Sequence, residues 1–283
     1  MSARADVAPL FALLKPAKLA RLIGAVALAL AVALPLSRSD VATAAITVVA
    51  GCVVAAGANA LNMFLDRERD ARDPQTSLRP LPAGAVRPWS ALAFAVLLIM
   101  IGAWIIVSRA GVVPAASAIA AVAVYATIYS WLKQRTPYYT LVGGAIWAAP
   151  ILVLWLALGR SIAAAPAEAF VVAALWTTLH VWSSALIPGT DTVAAAPLFL
   201  PHTRGPFVTR VHVIAIACAL GLLTIGLGMR AMLPFDAVLI IAAGASLVAG
   251  RAQVARAVSL AAIFFIAAFI VTTAIQAIFS LAA

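Results

Sequence analysis

The stretch NALNMFLDRERDARD carries polar side chains at a spacing that chemistry can use. Asn62, Asp66 and Asp70 recur every four residues, so on a helix they stack along one face, with Asp73 three residues further along the same side. Two carboxylates so placed can hold one or two Mg2+ ions, because magnesium takes few protein carboxylates and leaves positions for substrate phosphates. Asn62 would add an amide oxygen. The competing reading is a solvated charged segment in which Arg67, Glu68, Arg69 and Arg72 neutralise the carboxylates through i to i+3 and i+4 pairs. Position weighs against it. The row begins inside a long apolar run, where an Asn and then a carboxylate need a partner.

Cationic residues follow. Arg79 lies in SLRPLPAG, where Pro80 and Pro82 stop a helix and leave a rigid turn. Its guanidinium fork matches phosphate oxygens, although an interfacial, topology-setting Arg has the same look. YSWLKQRTPYY sets Lys133 and Arg135 beside Tyr125, Tyr129 and Trp131, a mixture that often serves only as a membrane anchor. Gly143 and Gly144, just beyond, suit close helix packing. In HVWSSALIPGTDTVAAAPLFLP, His180 and Trp182 sit in an apolar run and Asp191 lies past it. A lone His in such a run serves packing more often than catalysis. His202 and His212 stand at no metal-ligand spacing from it, and Asp191 alone is slight evidence for a second metal site.

The elements that must position these groups are membrane helices. Of 283 residues, 65% are hydrophobic and 10% charged, with mean hydropathy +1.12, too apolar for an ordinary soluble domain. A hydrocarbon core of about 30 Å needs roughly 20 apolar helical residues. That yardstick predicts an all-α bundle of about nine transmembrane helices near 19–37, 41–62, 89–108, 111–131, 139–159, 166–187, 211–232, 236–250 and 257–281. The eighth is short enough to leave its independence open. The net charge of +10 does not point to nucleic acid, since the cations lie in short segments between apolar runs. Cys52 and Cys218 form no CxxC pair and predict neither disulfide nor zinc site. The N-terminal region has a signal-like charge pattern without a small-x-small cleavage site, which predicts a retained first helix.

Alternating the loops puts Arg38, Arg109, Arg160 and Arg230 on one side and the other fifteen of the 19 Lys and Arg residues opposite. The positive-inside rule then predicts a cytoplasmic N-terminus, a cytoplasmic acidic row and an external C-terminus, as in a bacterial inner membrane protein. The longest cytoplasmic loops, 63–88 and 188–210, recur after the second and sixth helices. One integral-membrane domain over 1–283 is expected, with four-helix halves 19–131 and 139–250 and a final helix 257–281.

These stretches together resemble the UbiA superfamily of intramembrane prenyltransferases, and within it the protoheme IX farnesyltransferase (heme o synthase) branch. NMFLDRERDARDPQTSLRPLPAG resembles the N-x3-D/E-R-D-x-D motif and the R-T-R-x-R-P-L that follows it. YSWLKQRTPYYTLVGG resembles L-K-R-R-T-P and its glycine-rich helix. HVWSSALIPGTDTVAAAPLFLP resembles H-F-W-A-L…D-D-Y-x-x-A-G-x-P-M-L-P, with His180 and Trp182 on its His and aromatic positions.

The resemblance implies a bundle around an intramembrane cavity and a Mg2+-dependent transfer of farnesyl from farnesyl diphosphate to a vinyl group of heme b, giving heme o for cytochrome oxidase assembly. It implies that Asn62, Asp66, Asp70 and Asp191 hold Mg2+ and that Arg79, Lys133 and Arg135 grip the diphosphate. Asp66, Asp70, Lys133, Arg135 and His180 would form the catalytic set. Heme a synthase or oxidase assembly proteins are the implied partners besides the lipid bilayer. The chain departs from the pattern at Glu68, Gln75, Ser77, Gln134 and Thr190, the last leaving the second acidic motif degenerate. Two alternatives therefore stand beside heme farnesylation: prenylation of an aromatic or quinone acceptor, and a non-catalytic heme or lipid carrier or assembly factor.

Overall fold

Apolar runs become helices because the bilayer interior offers no partner for a free peptide group, and a helix satisfies its own. The computed structural model describes residues 7–16, 19, 22–74, 76–161, 163–188, 198–249 and 251–279. Its helices are α1 (Val7–Leu13), α2 (Leu22–Val32), α3 (Arg38–Asp70), α4 (Pro88–Ala110), α5 (Val112–Leu132), α6 (Tyr139–Ala157), α7 (Ala164–Ser184), α8 (Leu200–Thr203), α9 (Gly205–Gly226), α10 (Leu233–Ala249) and α11 (Ala252–Phe279). No strand occurs among the described residues. Eight helices, α3 to α7, α9, α10 with the 3-10 turn before it, and α11, are long and apolar enough to cross a membrane, and α2 is a shorter apolar ninth.

Several expected boundaries move. The first span, expected at 19–37, is the 11-residue α2, about 16 Å long. It ends ahead of Pro35, which disfavours helix in the residue before it. The second does not stop at 62. Ser37 starts α3 with a reciprocal cap, its hydroxyl accepting the Asp40 N–H at 3.2 Å and the Asp40 carboxylate accepting the Ser37 N–H at 2.9 Å. From there α3 runs 33 residues, about 50 Å, well beyond a hydrocarbon core of about 30 Å. The acidic row therefore rides on the helix rather than in a loop. Asp73 does not share it, because α3 ends at Asp70 and the chain turns. The expected loop 188–210 contains α8 and the start of α9, and α10 is an independent helix packed on α9 and α11.

Glycines set the helix spacing. A Cβ on Gly102 of α4 would come within 2.7 Å of the Ala50 carbonyl on α3, and one on Gly57 within 2.8 Å of the Ala95 carbonyl, so α3 and α4 touch backbone to backbone. Gly144 of α6 similarly faces the Ala174 carbonyl and the Thr178 hydroxyl of α7. Backbone cannot yield as a side-chain tip does, so Gly144→Val is expected to destabilise the bundle by roughly 1–3 kcal/mol or more. A lowered melting temperature of the detergent-purified protein would show it. A wild-type value would remove the close contact from the account.

Candidate active site

At the end of α3, Asn59, Asn62, Asp66 and Asp70 lie on one face and are all buried, Asp66 at 2% exposure and Asp70 at 4%. Carboxylates tolerate such burial only when paired. Asp66 accepts from Arg69 Nη2 at 2.7 Å, from Asn62 Nδ2 at 3.2 Å and from Lys133 Nζ at 3.3 Å. Asp70 accepts from Arg79 Nη1 at 2.7 Å. Lys15, which follows α1, donates to Asn62 Oδ1 at 3.3 Å.

Each cation is delivered by local structure. Beyond Asp70 the chain winds through successive turns, with Thr76 Oγ1 donating to the Asp70 carbonyl at 2.9 Å and Leu81 and Val86 buried beneath. This brings Arg79 back onto the last carboxylate of the helix. Lys133 reaches across from the end of α5, where Lys133 N–H closes onto the Tyr129 carbonyl at 2.9 Å. Arg69 sits one turn after Asp66 on the same helix, at the spacing that favours an i to i+3 pair.

The electrostatics are unbalanced by design of the sequence. Four cations, from three separate segments, surround two carboxylates. Arg69 Nη1 is buried and has no acceptor among the described residues. A buried orphan donor costs about 1–3 kcal/mol, more when charged, and an arriving anion would remove that cost. The donor set also fits a hard cation. Asp66, Asp70 and the Asn62 amide oxygen offer oxygen ligands, with no thiolate or imidazole among them. That suits Mg2+, which completes its shell with water and phosphate, and not zinc.

A cavity of about 170 Å3 opens beside this row, walled by α2, α3, α5 and α6. Its wall is apolar along α3 and α6 but reaches Asn59 and the hydroxyl-bearing rings of Tyr125 and Tyr129. Both tyrosines belong to a π turn in α5, Tyr125–Tyr129, and their rings lie 5.2 Å apart. Such widened turns recur at functional sites. Gly143 leaves room for Tyr129, whose ring would lie 3.1 Å from a Cβ there.

Two residues expected in the site, Arg135 and His180, are elsewhere. Arg135 is exposed and stacks on Trp131, 4.4 Å from the ring centroid, rather than joining the row. One residue of the turn, Gln134, separates it from Lys133, enough to turn it outward. His180 stacks on Trp176 at 5.3 Å and 9°, and Trp176 is itself tied to the Ala262 carbonyl of α11 at 2.6 Å. Asp191 lies outside the described residues. Conversely, Lys15 stands out in the sequence only as a topology signal and Arg69 only as a neutralising charge. Arg69 was readable from its spacing. Lys15, 47 residues from Asn62, had no local signal.

A family model described as the UbiA prenyltransferase family matches residues 21–272. A protoheme IX farnesyltransferase of Thermosynechococcus vestitus is 36% identical over 62% of this chain and 56% of its own length. That of Methylobacterium sp. strain 4-46 is 33% identical over 81% of this chain and 73% of its own. The chain thus spans from just over half to about three quarters of the length of these relatives. A solved UbiA homolog from Archaeoglobus fulgidus, bound to DMAPP and Mg2+, superposes with a TM-score of 0.60 over 93% of this chain and 98% of the other, at 13% identity. At that identity the likeness is one of fold.

Proposed function

Since this chain belongs to the UbiA prenyltransferase family, we propose that it transfers farnesyl from farnesyl diphosphate to a vinyl group of heme b, forming heme o within the membrane. The observation that carries the transfer chemistry is the buried, cation-rich acidic row on the helix face whose Asn59 lines an apolar cavity, with Arg69 Nη1 lacking an acceptor among the described residues. The choice of heme and farnesyl rests on the names of the relatives.

Asp66 and Asp70, with the Asn62 amide oxygen, are the residues that would hold Mg2+, which when bound offsets charge developing on the departing diphosphate. Arg69, Arg79, Lys133 and Lys15 receive the phosphate oxygens, exchanging their present contacts with the row for the stronger charge of the substrate. The allylic C–O bond breaks with its electron pair leaving on the diphosphate. The apolar walls along α3 and α6 keep water from the allylic cation. The vinyl group of the acceptor then attacks the allylic carbon, and water captures the resulting cation with loss of a proton. Tyr125 and Tyr129 line the cavity, and the face of an aromatic ring favours a cation.

Mass analysis of hemes extracted from cells with and without the chain tests this reading. Heme o present only with the chain supports it, and unchanged hemes overturn it. The acidic row is proposed to face the cytoplasm, from the charge asymmetry of the loops. Leu78, 89% exposed in the turn after α3, reports this as Leu78→Cys in a chain with Cys52 and Cys218 replaced by serine. A membrane-impermeant maleimide is expected to label it in inverted vesicles and not in intact spheroplasts. The opposite labelling would reverse the orientation.

A further inference from the structure

At the same end of the bundle as the acidic row, but on α6, α7 and α9, lies a second constellation that the diphosphate chemistry does not use. His212 sits in the second turn of α9 with its Nδ1 2.8 Å from the Val208 carbonyl. A carbonyl oxygen only accepts, so Nδ1 carries the proton and the other ring nitrogen, Nε2, presents its lone pair. Nε2 is met at 3.2 Å by the hydroxyl of Tyr138, the residue before α6. Trp182 of α7 packs edge-on against the same imidazole, ring centroids 5.8 Å apart at 87°. Trp182 is 1% exposed, and its indole N–H has no acceptor among the described residues.

This is the arrangement a metal-binding histidine needs. A ligating imidazole is normally oriented by donating its far N–H to a carbonyl or carboxylate, as His212 does to Val208. The group that caps Nε2 is exchangeable, being a long neutral hydrogen bond from a side chain that is 40% exposed. The surroundings are flat and aromatic, with Tyr138 5.5 Å from the imidazole and Trp182 on another side. Arg204 and Arg210 add positive charge near the same end of α9, the sign that an acidic macrocycle requires.

The position relative to the acidic row is also constrained. Lys133 touches Asp66 and Tyr138 touches His212, and only five residues of backbone join them, a reach of about 18 Å at most. Tyr139, next to Tyr138, is buried edge-on against Tyr129 of the cavity wall, ring centroids 5.5 Å apart. One short segment thus links the diphosphate site, the cavity and the imidazole.

We propose that His212 Nε2 is an axial ligand to the iron of a porphyrin acceptor, with Tyr138 as the group it displaces. The inference rests on heme as the acceptor under the proposed function, and adds where and how this chain holds it. His212 is on this reading a binding residue for the acceptor.

The test is a titration of the full-length purified protein in nanodiscs with ferric heme b, read by absorbance in the absence of farnesyl diphosphate. Wild type is expected to give the spectrum of a ferric heme ligated by one histidine. His212→Ala is expected to lose that spectrum and weaken binding by about tenfold or more. Tyr138→Phe removes the competing hydrogen bond and is expected to tighten binding roughly two- to tenfold. A wild-type spectrum from His212→Ala, or weaker binding by Tyr138→Phe, overturns His212 as the ligand while leaving the farnesyl chemistry standing. No heme binding by the wild type overturns this inference together with heme as the acceptor.

Discussion

Asp66→Asn is expected to lower the rate of prenyl transfer by roughly 10³-fold, the scale of losing one preorganised electrostatic element at a departing anion. The substitution keeps shape and removes only charge. In the wild type, Asp66 is the point where Arg69, Asn62 and Lys133 converge, so its carboxylate holds two cations in register and, under the proposed function, would offer oxygens to the metal. An amide does the first poorly and cannot do the second. Removing one partner of a buried ion pair also destabilises, by about 3–5 kcal/mol where burial is complete, and Arg69 at 27% exposure places this site below that limit. The double variant Asp66→Asn with Lys133→Met restores the charge balance, so it is expected to recover stability and not activity. Single-turnover transfer, measured beside a melting curve for each variant, separates the two effects. Activity within tenfold of wild type in Asp66→Asn would remove the row from the mechanism.

Gly51→Phe is expected to block the cavity without disturbing the row. Gly51 lines the cavity on α3, and a Cβ built there meets nothing within 4 Å, so a side chain enters open space and not a neighbouring helix. It lies 15 residues before Asp66, about 22 Å along the helix axis, far enough that the diphosphate groups are untouched. A ring at this depth competes with the distal part of a long prenyl chain and not with a short one. Farnesyl diphosphate affinity is therefore expected to fall about 10²-fold while that of dimethylallyl diphosphate changes by less than about threefold, a pattern that overpacking of a filled cavity would produce. Equal losses for both substrates would mean that the chain lies elsewhere.

Much of this site is legible in the sequence, for reasons that are local. Asn62, Asp66 and Asp70 are spaced by one helical turn, and a helix carries that spacing directly into a shared face. Arg79 is nine residues from Asp70, with Pro74 between them and Pro80 directly after it to keep the helix from continuing. The basic loop after α5 is also readable, but not which of its cations turns inward. Lys133 reaches Asp66 and Arg135 lies on Trp131, a choice made by the turn at 133–135. Lys15 and the Tyr138 to His212 bond join residues 47 and 74 apart, and no periodicity encodes contacts of that range. Eight of the nine expected spans are legible from hydropathy because each is a long apolar run. The ends are less so, since α3 keeps its helical bonds through a charged segment that a hydropathy window assigns to a loop.

The measurement that bears most directly on the account is product analysis by mass spectrometry after adding heme b, farnesyl diphosphate and Mg2+ to proteoliposomes holding the full chain. Expected is heme o, dependent on Mg2+ and absent with Asp66→Asn. A folded wild-type protein that yields no farnesylated heme, or an Asp66→Asn variant that yields it as fast, would contradict the account.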